Sequence, residues 1–230
     1  MANILYVCEE NNCRSAVAKV LTEYAIRQKG ISGLNVDSSG LDAKPGTGMS
    51  SRMKDVLSNK GYNENGYSSR QVTRELLLQQ DYILCMSKRQ LREVLQIAPE
   101  VKGRTYTLPG VVGFPSRNIN HPSRFIRPSP KYSSLEKILY SVDKALFPSL
   151  PAFGLIHSYD CIEEIKSFFK ELFITSFYPM VDIVCAFLGV DYRRNEKRYI
   201  RQYKRTAGQI KKYVDMFLDK LIKEGKVSAA

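Results

Sequence analysis

Short apolar runs alternate with amphipathic segments along the chain as far as residue 147. Four runs have the length and the abrupt polar ends of buried strands, and they occupy residues 3–7, 34–38, 81–86 and 104–108. Four segments repeat apolar positions every three to four residues, as half-buried helices do, at residues 15–29, 49–59, 88–96 and 134–147. This alternation predicts an α/β fold with a flavodoxin-like, four-stranded parallel sheet and helices on both faces.

Two breaks in the pattern define the predicted domains. Residues 109–133 contain five prolines and no periodicity, which is typical of a long functional or disordered loop. A second Pro- and Gly-containing break at residues 147–154 precedes helical patterns at 156–173, 181–188 and 192–223. We therefore predict an α/β domain at residues 1–148 and a small all-α C-terminal module at residues 155–230. The last helical pattern has an apolar stripe made of Tyr199, Tyr203, Ala207, Ile210, Val214, Phe217 and Leu221.

The composition is that of an ordinary globular protein, with 43% hydrophobic and 25% charged residues in a chain of 230. No apolar run reaches the ~18 residues that span a membrane, and the first twenty residues lack the basic-then-apolar start of a secretory signal. Five cysteines, an odd number without framework spacing, indicate reduced thiols. We therefore expect a cytoplasmic protein without a transmembrane segment.

The net charge of +12 is concentrated in two blocks of the sequence. Residues 101–150 carry eight basic and two acidic side chains, and residues 191–230 carry twelve basic and five acidic ones. Both blocks favour anionic partners or substrates. Basic residues and tyrosines are interleaved at residues 192–212, which suits peripheral contact with an anionic membrane, or nucleic acid. The same pattern suits a helical bundle whose charges are simply hydrated.

The segment between the first strand and the first helix carries the chemistry, and it consists of Cys8, Glu9, Glu10, Asn11, Asn12, Cys13, Arg14 and Ser15. Backbone N–H groups at a helix start form an anion cradle, and an arginine there can bind two oxyanion oxygens at once. Cys8 at the strand end would lie beneath the anion, where the positive field favours a thiolate. We predict Cys8 as the nucleophile of a phosphocysteine intermediate, Arg14 as the phosphate clamp and Ser15 as the hydroxyl donor to the thiolate.

The chain resembles the low molecular weight protein tyrosine phosphatases and the related arsenate reductases over residues 3–147. The resemblance rests on the loop from Cys8 to Ser15, on residues 38–40, and on segments at residues 68–73, 81–86 and 99–100. It implies that Asn11 braces the loop and that Cys13 forms a protective disulfide with Cys8 on oxidation. It also implies that Tyr132 flanks an aromatic substrate and that the substrate phosphate is surrounded by Glu9, Glu10, Asn11, Asn12 and Cys13.

Two departures from the family pattern concern acidic groups. Glu9 and Glu10 stand where the family usually has an apolar residue and a glycine, and two carboxylates beside an anion oppose its binding. The family's general acid is an Asp in an Asp-Pro dipeptide, shortly before the last helix. The best match to that motif here is the segment at residues 127–132, which puts Ser129 at the general-acid position, and residues 101–135 contain neither Asp nor Glu. His121 is then the titratable side chain of this loop that could supply a proton.

The main hypothesis is a cysteine-dependent phosphatase that acts on phosphotyrosine, in a phosphorylated protein, or on a related anionic phosphomonoester. The alternative is a module that binds phosphorylated ligands with little or no turnover, because the acid is missing. Arsenate reduction needs a resolving cysteine after the third strand, where Ser87 stands. With only two histidines and no zinc-type spacing, we expect neither a metal site nor a cofactor.

Overall fold

The computed structural model describes residues 1–64, 66–122 and 192–229. The strands are β1 (Ala2–Cys8), β2 (Leu34–Gly40), β3 (Tyr82–Cys85) and β4 (Thr105–Thr107). The helices are α1 (Arg14–Gln28), α2 (Ser51–Ser58), α3 (Arg74–Leu78), α4 (Lys88–Ile97), α5 (Leu108–Val111) and α6 (Tyr192–Lys223), with a 3-10 helix at Pro99–Arg104. Every strand and helix that the sequence predicts within these residues is confirmed, with small shifts at the ends.

The four strands form one parallel sheet in the order β2-β1-β3-β4. β1 lies inside the sheet, where Ile4 is in register with Val36 on one side and with Tyr82 on the other. A parallel strand covered on both faces is buried along its length, which explains the continuous apolar run at residues 3–7. The carboxyl ends of the strands meet at one edge, the place where open α/β sheets bind ligands.

Helices cover both faces of the sheet, because alternate side chains of each strand point to opposite sides. One face shares a core with α3, α4 and the 3-10 helix through Leu5, Val7, Ile83 and Cys85. On the other face, the hydroxyl of Tyr6 lies 2.8 Å from the Thr22 hydroxyl of α1. The Tyr82 ring meets Phe217 of α6 edge to face, with ring centres 5.3 Å apart. These contacts confirm the predicted flavodoxin-like α/β class.

Helix α6 buries the apolar stripe that the sequence predicts. Its buried members include Tyr203, Ala207, Ile210, Val214, Phe217 and Leu221. After α6 the chain forms an isolated antiparallel bridge to the segment just before β2, where the Ser32 N–H donates to the Ser228 carbonyl at 3.0 Å. No helix in the three described ranges is long and apolar enough to cross a membrane.

The chain divides into two compact units, one made of Met1–Arg124 with Ile200–Ala230 and the other of Phe125–Tyr199. Nearly all of the second unit lies outside the described residues, as do the helices predicted at 134–147, 156–173 and 181–188. The division into domains at residues 1–148 and 155–230 therefore stays a prediction. In the structure, the chain from Ile200 onward belongs to the same compact unit as the α/β domain.

Two short helices escape the periodicity analysis. α3 has five residues and α5 four, so neither is long enough to repeat an apolar position. Their caps carry the local signal: the Thr73 hydroxyl accepts from the Leu76 N–H at 3.2 Å, and the Thr107 hydroxyl accepts from the Gly110 N–H at 3.0 Å. The loop predicted at residues 109–133 therefore starts inside a helical turn, and its part from residue 123 onward lies outside the described residues.

Candidate active site

The loop that joins β1 to α1 lies at the carboxyl edge of the sheet and is packed against the end of β2. Cys8 ends β1 and is in register with Gly40, the last residue of β2. A Cβ on Gly40 would lie 2.3 Å from the Glu9 carbonyl oxygen and 2.8 Å from the Asn11 nitrogen, so the close approach requires glycine. Cys8 is only 2% exposed beneath this loop.

The Cys8 thiol has a defined hydroxyl partner. Its Sγ lies 2.9 Å from the Ser15 Oγ, on the first turn of α1. The Asn11 Nδ2 donates to the same Oγ at 2.9 Å, so the hydroxyl oxygen acts as acceptor there and its hydrogen can point to sulfur. Ser15 is therefore placed to donate to a Cys8 thiolate, the role that the sequence predicts for it.

Asn11 holds the middle of the loop through its side chain and its backbone. It has φ of +58°, a left-handed conformation that few residues other than glycine adopt. Its Nδ2 also donates to the Ser38 hydroxyl at 2.9 Å, and its Oδ1 accepts from the Arg70 N–H at 2.8 Å. The Tyr67 hydroxyl donates to the Asn11 carbonyl. These bonds join Asn11 to β2 and to the segment around residues 67–70, and the bracing role that the family resemblance implies for it stays a prediction.

Tyr67 is a site residue that the sequence analysis does not identify. Burial raises the pKa of its hydroxyl well above the ordinary value, so the group keeps its proton and remains a donor. The strand-like segment that follows it is anchored to β2, because the Val72 N–H donates to the Gly40 carbonyl at 2.8 Å. The signal in the sequence is its position immediately before residues 68–73, one of the segments that carry the resemblance.

Arg14 opens α1 and is 7% exposed. Its Nη1 donates to the Ile119 carbonyl at 3.1 Å, while its buried Nε has no hydrogen-bond partner among the described residues. The first turn of α1 carries no acidic residue, and its N-cap, Cys13, makes no side-chain hydrogen bond to it. A buried guanidinium N–H and the N–H groups of a helix start are both suited to an oxyanion.

The two acidic residues of the loop have partners. Glu9 forms an ion pair with Arg89 and lies 3.5 Å from the buried Gln90 Nε2. Glu10 is exposed and accepts from the Asn12 Nδ2 at 2.7 Å. Arg89 offsets the Glu9 charge, which removes part of the repulsion that the sequence predicts. The substrate-binding roles predicted for Glu9, Glu10, Asn12 and Cys13 stay predictions.

Cys8, Cys13 and Cys85 are all reduced and buried. Cys85 ends β3, in register with Val7, and is fully enclosed. Burial raises the pKa of the Cys85 thiol well above its ordinary value, with a smaller contribution from the nearby Cys8 charge. Cys85 is therefore an inert thiol, and the protective pairing of Cys13 with Cys8 stays a prediction.

His121 is poorly suited to the proton-donating role considered for it. Burial and, to a smaller extent, the charge of Arg14 lower its pKa to about 4. The imidazole is therefore neutral near pH 7 and has no excess proton to give. Ser129 and Tyr132, the predicted acid position and the predicted aromatic flank, lie outside the described residues.

Comparisons with known proteins agree with this geometry. The family model for low molecular weight phosphotyrosine protein phosphatases matches residues 3–125. The low molecular weight protein-tyrosine-phosphatase Etp of Escherichia coli (strain K12) is 33% identical over 103 residues, which are 45% of this chain and 66% of Etp. The chain thus spans slightly less than two thirds of that relative. The protein-arginine-phosphatase of Geobacillus stearothermophilus is 33% identical over 119 residues, which are 52% of this chain and 77% of that protein.

Solved structures show the same fold. The YwlE arginine phosphatase from Geobacillus stearothermophilus has a TM-score of 0.60 at 20% identity, covering 97% of this chain and 95% of its own. A low molecular weight phosphotyrosine phosphatase from Vibrio cholerae O395 has a TM-score of 0.61 at 17% identity, covering 98% and 99%. Since the residues that match the family model make up more than half of the sequence and include the whole loop from Cys8 to Ser15, the chain belongs to the low molecular weight phosphotyrosine protein phosphatase family.

Proposed function

We propose that this protein is a cysteine-dependent phosphatase that removes the phosphoryl group from a phosphorylated protein through a phosphocysteine intermediate. The observation that carries the proposal is the arrangement around Cys8, with Sγ 2.9 Å from Ser15 Oγ and the buried Nε of Arg14 lacking a partner among the described residues. A nucleophile, an oxyanion clamp and a donor for the departing thiolate stand in one loop.

The reaction has two steps. In the first, Cys8 Sγ attacks phosphorus, an S–P bond forms, and the bond from phosphorus to the leaving atom breaks as that atom takes a proton from an acid. In the second, water attacks phosphorus and gives a proton to the base that the acid became in the first step, the S–P bond breaks, and the thiolate returns to the hydroxyl of Ser15. Arg14 and the backbone N–H groups of the loop hold the phosphoryl oxygens in both steps.

The position of the last helix bears on the general acid. Ser129 takes that position only if residues 134–147 are the last helix, whereas α6 begins at Tyr192. The residue immediately before α6 is Asp191, which is followed by Tyr192 rather than by the proline of the family's Asp-Pro motif. Since the family places its acid shortly before the last helix, we propose Asp191 as the proton donor. This assignment also weakens the alternative of a binding module without turnover, which rested on a missing acid.

Substitutions of the two positions separate these assignments. Asp191→Asn should lower kcat for phosphotyrosine by about 10² to 10⁴, and much less for nitrophenyl phosphate, whose leaving group needs little protonation. Ser129→Asp should then give no gain for either substrate. A higher kcat in Ser129→Asp, together with an unchanged kcat in Asp191→Asn, would instead assign the general-acid position to residue 129.

The leaving group can be an oxygen or a nitrogen. The family description and Etp point to phosphotyrosine, and a second relative is named as a protein-arginine-phosphatase. One observation favours phosphoarginine as a second candidate substrate: the exposed carboxylate of Glu10 would attract a cationic guanidinium and repel further anions. Comparing kcat/KM for matched phosphotyrosine and phosphoarginine peptides decides between them.

The exposed face of α6 supports a further anionic contact, within the range predicted at residues 192–212. Arg201, Lys204, Arg205 and Lys212 are exposed, while the apolar stripe of the same helix is buried. The helix cannot offer that stripe to a bilayer, so any contact with anionic membrane or nucleic acid would be electrostatic. Binding to anionic vesicles or RNA that is lost in moderate salt would fit this proposal, and binding to neither would exclude it.

A further inference from the structure

A short segment links Arg14 to the sheet. The Ile119 N–H donates to the Met86 carbonyl at 2.8 Å, immediately after β3. The carbonyl of the same residue accepts from the Arg14 Nη1 at 3.1 Å, and Ile119 is fully buried. These two bonds hold the backbone two residues before His121 against the guanidinium.

The His121 ring lies beside α6 as well as near Arg14. It meets the ring of Tyr203 edge to face, with centres 6.4 Å apart, and Tyr203 is 2% exposed. Burial and, to a smaller extent, the charge of Arg14 hold the pKa of His121 near 4, so an imidazole without charge stands close to the phosphate clamp. The pKa of an uncharged base beside a guanidinium depends on whether that guanidinium has an anion bound.

We propose that His121 is a second oxyanion-binding group of this site, gaining a proton from solvent when an oxyanion binds to Arg14. The inference rests on the proposed function, because Arg14 is the clamp. A bound dianion more than offsets the guanidinium charge, so the field at His121 changes sign. One unit charge at ~6 Å, with an effective dielectric constant of ~20, moves a neighbouring pKa by about two.

The direction of the pH dependence follows from linkage. If the bound form of His121 has the higher pKa, the complex holds more protons than the free protein, so oxyanion affinity rises as pH falls. Besides Arg14 on α1 and Tyr203 on α6, the titratable groups of the described site are Cys8, Glu9 and Glu10 on the loop and Tyr67 beside it, and Asp191 is its proposed proton donor. The thiolate and these carboxylates also favour anion binding when they take up protons, so the experiment must separate them from His121.

Sulfate is a suitable probe, because it keeps the same charge across the range of interest. With Cys8→Ser as the reference protein, which removes the thiolate, sulfate affinity should rise about tenfold between about pH 7 and about pH 5. The additional substitution His121→Gln should leave at most about a twofold rise, whereas Glu10→Gln should retain most of the effect. His157→Gln is the matched control, because it changes the second of only two histidines.

A direct titration does not require a variant of His121. In the Cys8→Ser, His157→Gln protein the remaining imidazole signal belongs to His121, and saturating sulfate should raise its apparent pKa by about two. An unchanged pKa, or a pH dependence that survives His121→Gln, would overturn the inference while leaving the cradle in place. Sulfate that fails to bind the reference protein at any pH would instead overturn the oxyanion site itself.

Discussion

Asn11 has a left-handed backbone conformation, and it is the single non-glycine residue with positive φ among those described. Its conformation is maintained by groups from distant parts of the chain: Ser38, the backbone of Arg70 and the hydroxyl of Tyr67. Strained residues at functional sites persist only when their surroundings fix them. The shape of the loop therefore depends on groups from outside the loop.

Removing the Tyr67 hydroxyl tests this dependence. Tyr67→Phe leaves the Asn11 carbonyl without its donor, and we expect kcat/KM for an aryl phosphate to fall about tenfold to a hundredfold. Tyr106→Phe is the matched control, because that exposed hydroxyl also donates to a carbonyl, at Gly103, away from the loop. Equal activity in both variants would show that Tyr67 does not maintain the loop.

Cys8, Arg14 and Ser15 can be predicted from the sequence because they are close together in it and their spacing fits one chemical task. Tyr67 and Ile119 cannot, since their bonds to the loop join residues 56 and 105 positions apart. Such contacts arise from the crossover connections of the parallel sheet. The partner of Glu9 is missed for the same reason, as Arg89 is 80 positions away.

At the scale of elements, the loop is positioned by the register of β1 and β2. The pairing of Cys8 with Gly40 brings the end of β2 to the loop backbone, and this contact leaves no room for a side chain. The periodicity of the sequence predicts both strands. It does not predict that the third residue of Ser38-Ser39-Gly40 must lack a Cβ, because that depends on which strands are neighbours.

Gly40→Ala should displace the loop. The added methyl would lie 2.3 Å from the Glu9 carbonyl oxygen, so backbone must move, and we expect kcat/KM to fall at least about a hundredfold with a stability loss of about 1–3 kcal/mol. Gly103→Ala is the control, since no heavy atom lies within 4 Å of a Cβ there. Steady-state kinetics and urea unfolding of both variants measure the difference. Full activity in Gly40→Ala would mean that the loop tolerates displacement.

At the scale of the molecule, α6 completes the α/β unit from the far end of the sequence. Its bounds can be predicted, because a helix of 32 residues repeats its apolar stripe many times. The surface against which α6 packs cannot be predicted, since nothing in the sequence indicates where the apolar stripe is buried. Contacts such as Phe217 on Tyr82 and Lys29 with Asp219 at 2.8 Å join the two ends of the chain.

Phe217→Ala measures how much α6 contributes to this unit. The side chain is fully buried, so its removal should lower the free energy of unfolding by about 3–5 kcal/mol. Lys212→Ala, an exposed position of the same helix, should change it by less than about 0.5 kcal/mol. A loss below about 1 kcal/mol in Phe217→Ala, measured by urea unfolding, would show that the α/β unit is stable without the helix.

The central claim is that Cys8 carries the phosphoryl group during turnover. Protein quenched during turnover of nitrophenyl phosphate, then digested and analysed by mass spectrometry, should carry one phosphoryl group on the peptide that contains Cys8. The same label should form in Cys85→Ser, and it should be absent from Cys8→Ser, which should also lose turnover. Turnover that persists in Cys8→Ser, or a label on another residue of the wild-type chain, would contradict the assignment.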